Sequence, residues 1–98
     1  MKIFKKPLEF QWDKGNIGKN LNKHKVEDKE AEETFVDKNH KTFKDNLHSK
    51  GEERYRIVGK TKKSRLLFIV FTVRNIKIRI ISASDINKKE VHLYEERA

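Results

Sequence analysis

Glu53-Arg54-Tyr55-Arg56-Ile57-Val58 alternates polar and apolar residues, and Arg65-Leu66-Leu67-Phe68-Ile69-Val70-Phe71-Thr72-Val73 comes after the basic stretch Gly59 to Ser64. The first segment reads as a strand, with Tyr55 and Ile57 on one side and Arg54 and Arg56 on the other. The second is apolar on both faces, which marks a central strand. Arg74-Asn75 reads as a hairpin tip. Lys77 to Ala83 then alternates again, with Ile78, Ile80 and Ser82 on one face and Lys77, Arg79 and Ile81 on the other. An even-length loop at the tip sets Thr72 opposite Lys77 and Val70 opposite Arg79. Thr72, Lys77 and Arg79 then share a face.

Upstream, residues 1–9 read as a loose arm or edge strand, and Phe10-Gln11-Trp12 as a short strand. Asp13 occupies the N-cap position of a helix over Lys14 to His24, with Ile17 and Leu21 on one face. Gly15, Gly18 and Asn20 weaken that helix, Gly by ~1 kcal/mol relative to Ala. Val26 to Phe35 predicts a second, acidic helix whose apolar positions are Val26, Ala31 and Phe35. In it Lys29 is spaced for a pair with Glu33. Val36 to Phe43 holds a short strand, and Asn46 to Gly51 is turn-like. Downstream, Asp85 or Asn87 caps a closing helix from Asn87 to Arg97 that carries Val91 and Tyr94. The order predicts an α+β fold: N-terminal helices, an antiparallel β meander of about four strands and a C-terminal helix, in a single domain over 1–98. The helices are expected to cover one sheet face and leave the other to arginine.

Composition narrows the function. The chain has 98 residues with 24 Lys plus Arg against 15 Asp plus Glu, a net charge of +9. Self-repulsion at that charge opposes compaction and favours a polyanionic or acidic partner. There is no Cys, which excludes disulfides, thiolate chemistry and Cys-ligated zinc. The N-terminus lacks the apolar core of a secretory signal. The longest apolar run, Leu66 to Phe71, is far short of the ~20 residues that span a bilayer. A reducing, cytoplasmic location and no membrane partner are the resulting expectations.

Of six Arg, five fall between Arg54 and Arg79, in or beside strands. Guanidinium forks match phosphate geometry, so the pattern suggests a phosphate-binding sheet face. The plainer use of such residues is to cover apolar neighbours with their stems and to pair with carboxylates. His24 has the chemistry of a general acid or base, although a helix-terminal His more commonly bonds a carbonyl. His40, His48 and His92 lie in polar or exposed sequence. No His pair has metal-ligand spacing, so no metal site and no cofactor are expected. Glu53 adjoins Arg54 and could set a carboxylate beside a guanidinium. Phe10 and Trp12 could stack a base, but their context favours the core.

Several segments together resemble the BrnT-type toxin family. Phe10-Gln11-Trp12-Asp13 matches its F-x-W-D opening, and Asn20, Lys23 and His24 match a helix ending N-x-x-K-H. Gly51-Glu52-Glu53-Arg54-Tyr55 is similar to its G-E-E-R-Y/F strand start. Gly59 with Arg65-Leu66-Leu67, Phe71-Thr72-Val73-Arg74 and Arg79-Ile80-Ile81-Ser82-Ala83 resemble its later strands, and Glu90 with Tyr94-Glu95 its closing helix. The resemblance spans about residues 10 to 96. Two positions depart from the pattern: Ser84 stands where the family usually has Arg, and Lys25 where it has Gly.

The resemblance implies a RelE-like fold and an mRNA-cleaving toxin of a type II toxin–antitoxin pair. It implies a BrnA-like ribbon-helix-helix antitoxin, with operator DNA bound only through the complex. In a metal-free cleavage scheme, Arg54 and Arg79 meet phosphate and transition-state charge, and His24 or Glu53 carries the proton. Lys19, Arg65, Lys77, Thr72 and Ser82 are the candidate RNA-binding residues. The rival classes are a non-catalytic RNA- or DNA-binding module and a degenerate toxin that only binds its antitoxin.

Overall fold

The computed structural model of the chain describes residues 8–45 and 51–95. Its elements are α1 (Lys19–His24), α2 (Asp28–Thr34), β1 (Lys41–Lys44), β2 (Tyr55–Lys60), β3 (Leu66–Arg74), β4 (Lys77–Asp85) and α3 (Val91–Glu95). The four strands form one antiparallel sheet in the order β1-β2-β3-β4. The α+β reading and the four-strand meander therefore hold. The expected arm over 1–7, most of the turn over 46–50 and the helix end at Arg97 lie outside the described residues.

The β3–β4 hairpin closes on Asn75 and Ile76, at φ 49° and 63°. Two successive positive-φ residues make a primed turn that matches the twist of the flanking strands. The tip is thus one residue beyond the expected Arg74-Asn75, and every partner moves by two. Arg74 meets Lys77 and Thr72 meets Arg79. Thr72, Lys77 and Arg79 still share a face, because a shift of two preserves the side of the sheet.

A bulge at Val70/Phe71 shifts the pairing beyond it. Phe71 pairs with Ile80 and Val70 with Ser82, so Ile81 is the extra residue. Past the bulge Ala83 enters the core, and Ser82 moves to the arginine face. Simple alternation puts Ser82 with Ile78 and Ile80, which the bulge corrects; the pairing of Val70 with Arg79 is corrected first by the displaced tip and then by the bulge.

Ile57, Leu67, Ile69, Phe71, Ile78, Ile80 and Ala83 form the buried sheet face, with Val26, Ala31 and Phe35 of the α2 segment packed on it. An aromatic chain crosses this core: Phe10 meets Phe35 edge-on at 5.3 Å, Phe35 meets Phe71 at 5.0 Å, and Tyr55 stacks on Phe71 at 5.6 Å. Trp12 packs on the same core and donates its Nε1 hydrogen to Glu32 at 2.6 Å. Phe10 and Trp12 are therefore structural. Glu33 accepts the Lys62 N–H at 3.0 Å, in place of the expected pair with Lys29.

β4 is an edge strand, and its open edge is covered by the N-terminal segment. Ile78 donates to Glu9 O and accepts from Gln11 N, each at 2.8 Å, in a short parallel bridge. Further along, buried Asn16 donates to Ile80 O at 3.2 Å, and buried Asn20 accepts the Ala83 N–H at 3.0 Å. Covering the edge this way removes a template for unwanted strand pairing.

Asp13 starts a turn rather than the helix. Its Oδ1 accepts the Gly15 N–H at 2.8 Å, and Gly18 at φ 67° interrupts the chain before α1 begins at Lys19. α1 ends at Lys25 in the left-handed region, φ 59° and ψ 32°, the conformation a Gly adopts without strain. At the other end, Asn87 and Glu90 exchange side-chain-to-backbone hydrogen bonds ahead of α3. α3 lies against β2 on the face opposite α1 and α2, the face that holds the wholly buried Val58. Its Tyr94 hydroxyl donates to Asp37 Oδ2 at 2.8 Å, and Lys60 Nζ stands 5.7 Å from the ring centroid. The helices are thus split between the two sheet faces.

Candidate nucleic-acid interface

Strand alternation builds rows of side chains on the face away from the main core. Arg74 pairs with Lys77. Arg54 precedes the core-facing Tyr55 and continues the row of Thr72 and Arg79. Arg56, Val70 and Ser82 form the next row, and Val58, Phe68 and Ser84 the one after it. Successive rows lie about 7 Å apart, two residues along a strand. α3 occupies the Val58 end, so the Arg54 and Arg56 rows form the open part of the face.

The guanidiniums here are held, not loose. Arg79 makes a bidentate pair with Asp13, Nη1 to Oδ2 at 2.7 Å and Nη2 to Oδ1 at 3.0 Å. The Arg79 side chain is only 14% exposed, whereas Asp13 is 49% exposed. Two of the five guanidinium hydrogens suffice for that pair, so others remain for a second anion. Arg74 grips Glu52 in the same manner, at 2.5 and 3.0 Å. The hydrogen bond from Arg79, with the Gly15 N–H behind it, holds the Asp13 carboxyl below the usual range, and Arg74 adds to this. Arg74 does the same for Glu52, helped by the charges of Arg54 and Arg79. Arg54, Arg74 and Arg79 thus stand close enough for all three to act on the Glu52 carboxylate.

Glu53 adjoins Arg54 in the chain, but its carboxylate lies on the Tyr55 side of the sheet. Its side chain is 57% exposed, meets Lys44 Nζ at 3.0 Å and accepts from the Tyr55 hydroxyl at 3.4 Å. Its carbonyl accepts the buried Thr72 hydroxyl at 2.7 Å, which fixes the chain next to Arg54. A groove of about 290 Å³ opens beside it, lined by Asp45, Arg54, Arg56, Phe68, Val70, Ile81 and Ser82.

The structure therefore brings Arg54, Thr72, Lys77, Arg79 and Ser82 onto one face, whereas the Glu53 carboxylate turns to Lys44 and Tyr55 on the other side of the sheet, which corrects its expected place beside the Arg54 guanidinium. It places Arg65, His24 and Lys19 elsewhere. Arg65 clamps three segments: it binds Asp85 at 2.6 and 3.1 Å, Glu30 at 3.1 Å, and the carbonyls of Lys25 and His24. The hydrogen bond to Asp85 raises its pKa above the ordinary arginine value and lowers that of Asp85. His24 is exposed at this clamp, and Lys19 is exposed at the start of α1. Asp85 is six residues beyond Arg79 on β4, about 20 Å along a strand.

Arg56 is the residue that sequence reasoning places on the correct face without singling it out. Its signal is the alternation it shares with Arg54. Its Nε is buried without a hydrogen-bond partner, whereas Arg65, Arg74 and Arg79 are all gripped by carboxylates.

Among the described residues, no helix is long and apolar enough to cross a membrane. Individually curated proteins give no match to the sequence. A family model described as the ribonuclease toxin BrnT of type II toxin–antitoxin systems matches residues 12–90, which takes in every strand and both N-terminal helices. With its basic sheet face, this chain belongs to the BrnT family of type II toxin–antitoxin ribonuclease toxins.

Proposed function

We propose that the chain is a cytoplasmic, metal-independent mRNA endoribonuclease with a RelE-like fold in a single domain, silenced by a BrnA-like ribbon-helix-helix antitoxin. The observation that carries this reading is the placement of Arg54, Arg74, Lys77 and Arg79 on one open sheet face of a +9 chain. In the reaction, the RNA 2′-oxygen bonds to the adjacent phosphorus and the bond to the 5′-oxygen breaks. A 2′,3′-cyclic phosphate and a 5′-hydroxyl result. Arg54 and Arg79 stabilise the charge that builds on the phosphorane. His24 or Glu53 takes the proton from the 2′-hydroxyl and returns it to the departing oxygen through water. His24 stands at the Arg65 clamp and the Glu53 carboxylate is turned to Lys44 and Tyr55, so neither stands beside Arg54 and Arg79. Lys77 and Ser82 line the RNA path; buried Thr72 instead fixes the chain beside Arg54, Arg65 is taken up by its clamp, and Lys19 stands outside the path.

The test is cleavage of RNA by purified protein in EDTA. Cleavage is expected to persist there and to fall in Arg54→Ala and Arg79→Lys while the melting temperature holds. Lys keeps the charge but loses the fork. Full activity in both folded variants, or loss of cleavage in EDTA, overturns the scheme. One observation favours a second reading, a chain that binds RNA or its antitoxin without cutting: Arg74 and Arg79 already hold carboxylates. That reading predicts salt-dependent RNA binding and intact RNA.

A further inference from the structure

Arg56 differs from the other strand arginines. Arg56 lines the groove, and its Nε is buried and unpartnered. A buried donor on a charged group left without an acceptor is destabilising, so a turn of the side chain that brings its fork to an acceptor in the groove is favoured. The groove around it has a definite chemistry. Phe68, Val70 and Ile81 supply apolar contact, the bulge turns Ser82 toward it, and buried Asp45 lines its rim. A flat molecule with apolar faces and polar edges suits such a slot. The row of Arg56 adjoins the row of Arg54, Thr72 and Arg79, about 7 Å away. A chain whose phosphate lies on Arg54 and Arg79 therefore delivers a neighbouring base to the groove.

We propose that this groove is a guanine subsite and that Arg56 is its specificity-determining residue. Guanine presents two acceptors, O6 and N7, that a guanidinium fork can take together. It also presents N–H donors at N1 and N2 that suit a carboxylate such as Asp45. Adenine offers N7 with a donor beside it, and pyrimidines lack the fork's two acceptors. Phe68 and the aliphatic side chains contact the ring faces, which adds affinity without choosing the base.

This inference rests on the reading of the chain as an RNA-binding toxin, and binding separates the two. The probes are short all-2′-deoxy oligonucleotides, which lack the attacking hydroxyl, each carrying one guanine, 7-deazaguanine, inosine or uracil in an otherwise constant strand. Guanine is expected to bind on the order of tenfold or more tighter than uracil, the range of one good bidentate contact. Removing N7 is expected to erase most of that gain, and inosine part of it. Arg56→Gln and Arg56→Lys are expected to lose the preference while binding of the uracil strand changes less than about twofold. Equal weakening on all four probes makes Arg56 a phosphate ligand and overturns the subsite. So does an unchanged preference in both folded variants. Guanine preference without cleavage of the matching RNA overturns only the catalytic reading.

Discussion

Gly15 shows how tightly one residue can bear on the site. A Cβ at this position would stand 2.7 Å from Arg79 Nη2 and 3.2 Å from Asp13 Oδ1. The first contact is the far end of a flexible side chain, so Gly15→Ala is expected to leave the melting temperature within a few degrees and to displace the guanidinium. Misplacing a charge-stabilising group by about 1 Å can cost on the order of a hundredfold in rate, so cleavage is expected to fall tenfold or more. Unchanged cleavage in the folded variant would separate Arg79 from the reaction. Lys25 offers the opposite case. Its left-handed φ of 59° strains a lysine, and Gly relieves that strain. Lys25→Gly is expected to stabilise by about 1 kcal/mol, which raises the melting temperature of a domain this size by roughly 4–8 °C. Thermal melts followed by circular dichroism read this directly. At this scale the sequence shows what alternation controls: Arg54, Arg56, Thr72 and Arg79 fall on the expected face. It does not show that Asp13 reaches Arg79 or that Arg65 is consumed by Glu30 and Asp85. Those partners lie 66, 35 and 20 residues away, and only the finished fold brings them together.

The β3–β4 hairpin shows why some elements are readable and others not. Both strands are legible from the apolar run and the alternation, but their register rests on a turn with no strong signal. Asn-Gly marks a primed turn plainly; here the second residue is Ile76, β-branched, 58% exposed and at φ 63°. Ile76→Gly is expected to stabilise by at least about 1 kcal/mol, the cost of holding an L-residue left-handed. Urea unfolding should show a higher midpoint at an unchanged slope, since the exposed Ile side chain buries little. A lower midpoint would mean that the turn draws stability from Ile76 itself. The bulge at Val70/Phe71 hides for a related reason. A single extra residue leaves no mark in composition, yet it carries Ser82 to the arginine face and Ala83 into the core. α1 escapes propensity in another way. Asn20 looks like a helix weakener, but its side chain replaces a strand partner for Ala83. A tertiary bond of this kind outweighs a propensity difference of a few tenths of a kcal/mol.

For the whole molecule, the balance of a +9 chain makes stability sensitive to pH at both ends. Asp13, Glu52 and Asp85 are lowered by hydrogen bonds from Arg79, Arg74 and Arg65. Burial alone would raise Asp37, but the Lys60 and Asn39 N–H groups and the Tyr94 hydroxyl hold it low. In acid, the unfolded chain therefore binds protons before the folded chain does. The stabilisation is complete above the unfolded values near pH 4 and is lost as pH falls through the lower folded values. Asp13, Glu52 and Asp85 lie at the surface, so solvent screening leaves them a minor part. Asp37 is expected to dominate. Each neutralised carboxylate also adds to the positive excess, so the acid loss should be steeper at low salt. In alkali the sign reverses. Burial, and then the bond to Asp37, push Tyr94 up to about 12. Its contribution is complete below the ordinary tyrosine value of about 10 and fades as pH rises from there to about 12. Urea midpoints of the parent chain and Tyr94→Phe, measured from pH 7 to 11.5, isolate this effect, because lysine deprotonation is common to both. The gap between the two is expected to be constant to about pH 9.5 and to narrow above it. A gap that stays constant to pH 11.5 would mean that the Tyr94 hydroxyl does not anchor α3 to Asp37, and that α3 is held on the sheet by its apolar contacts alone.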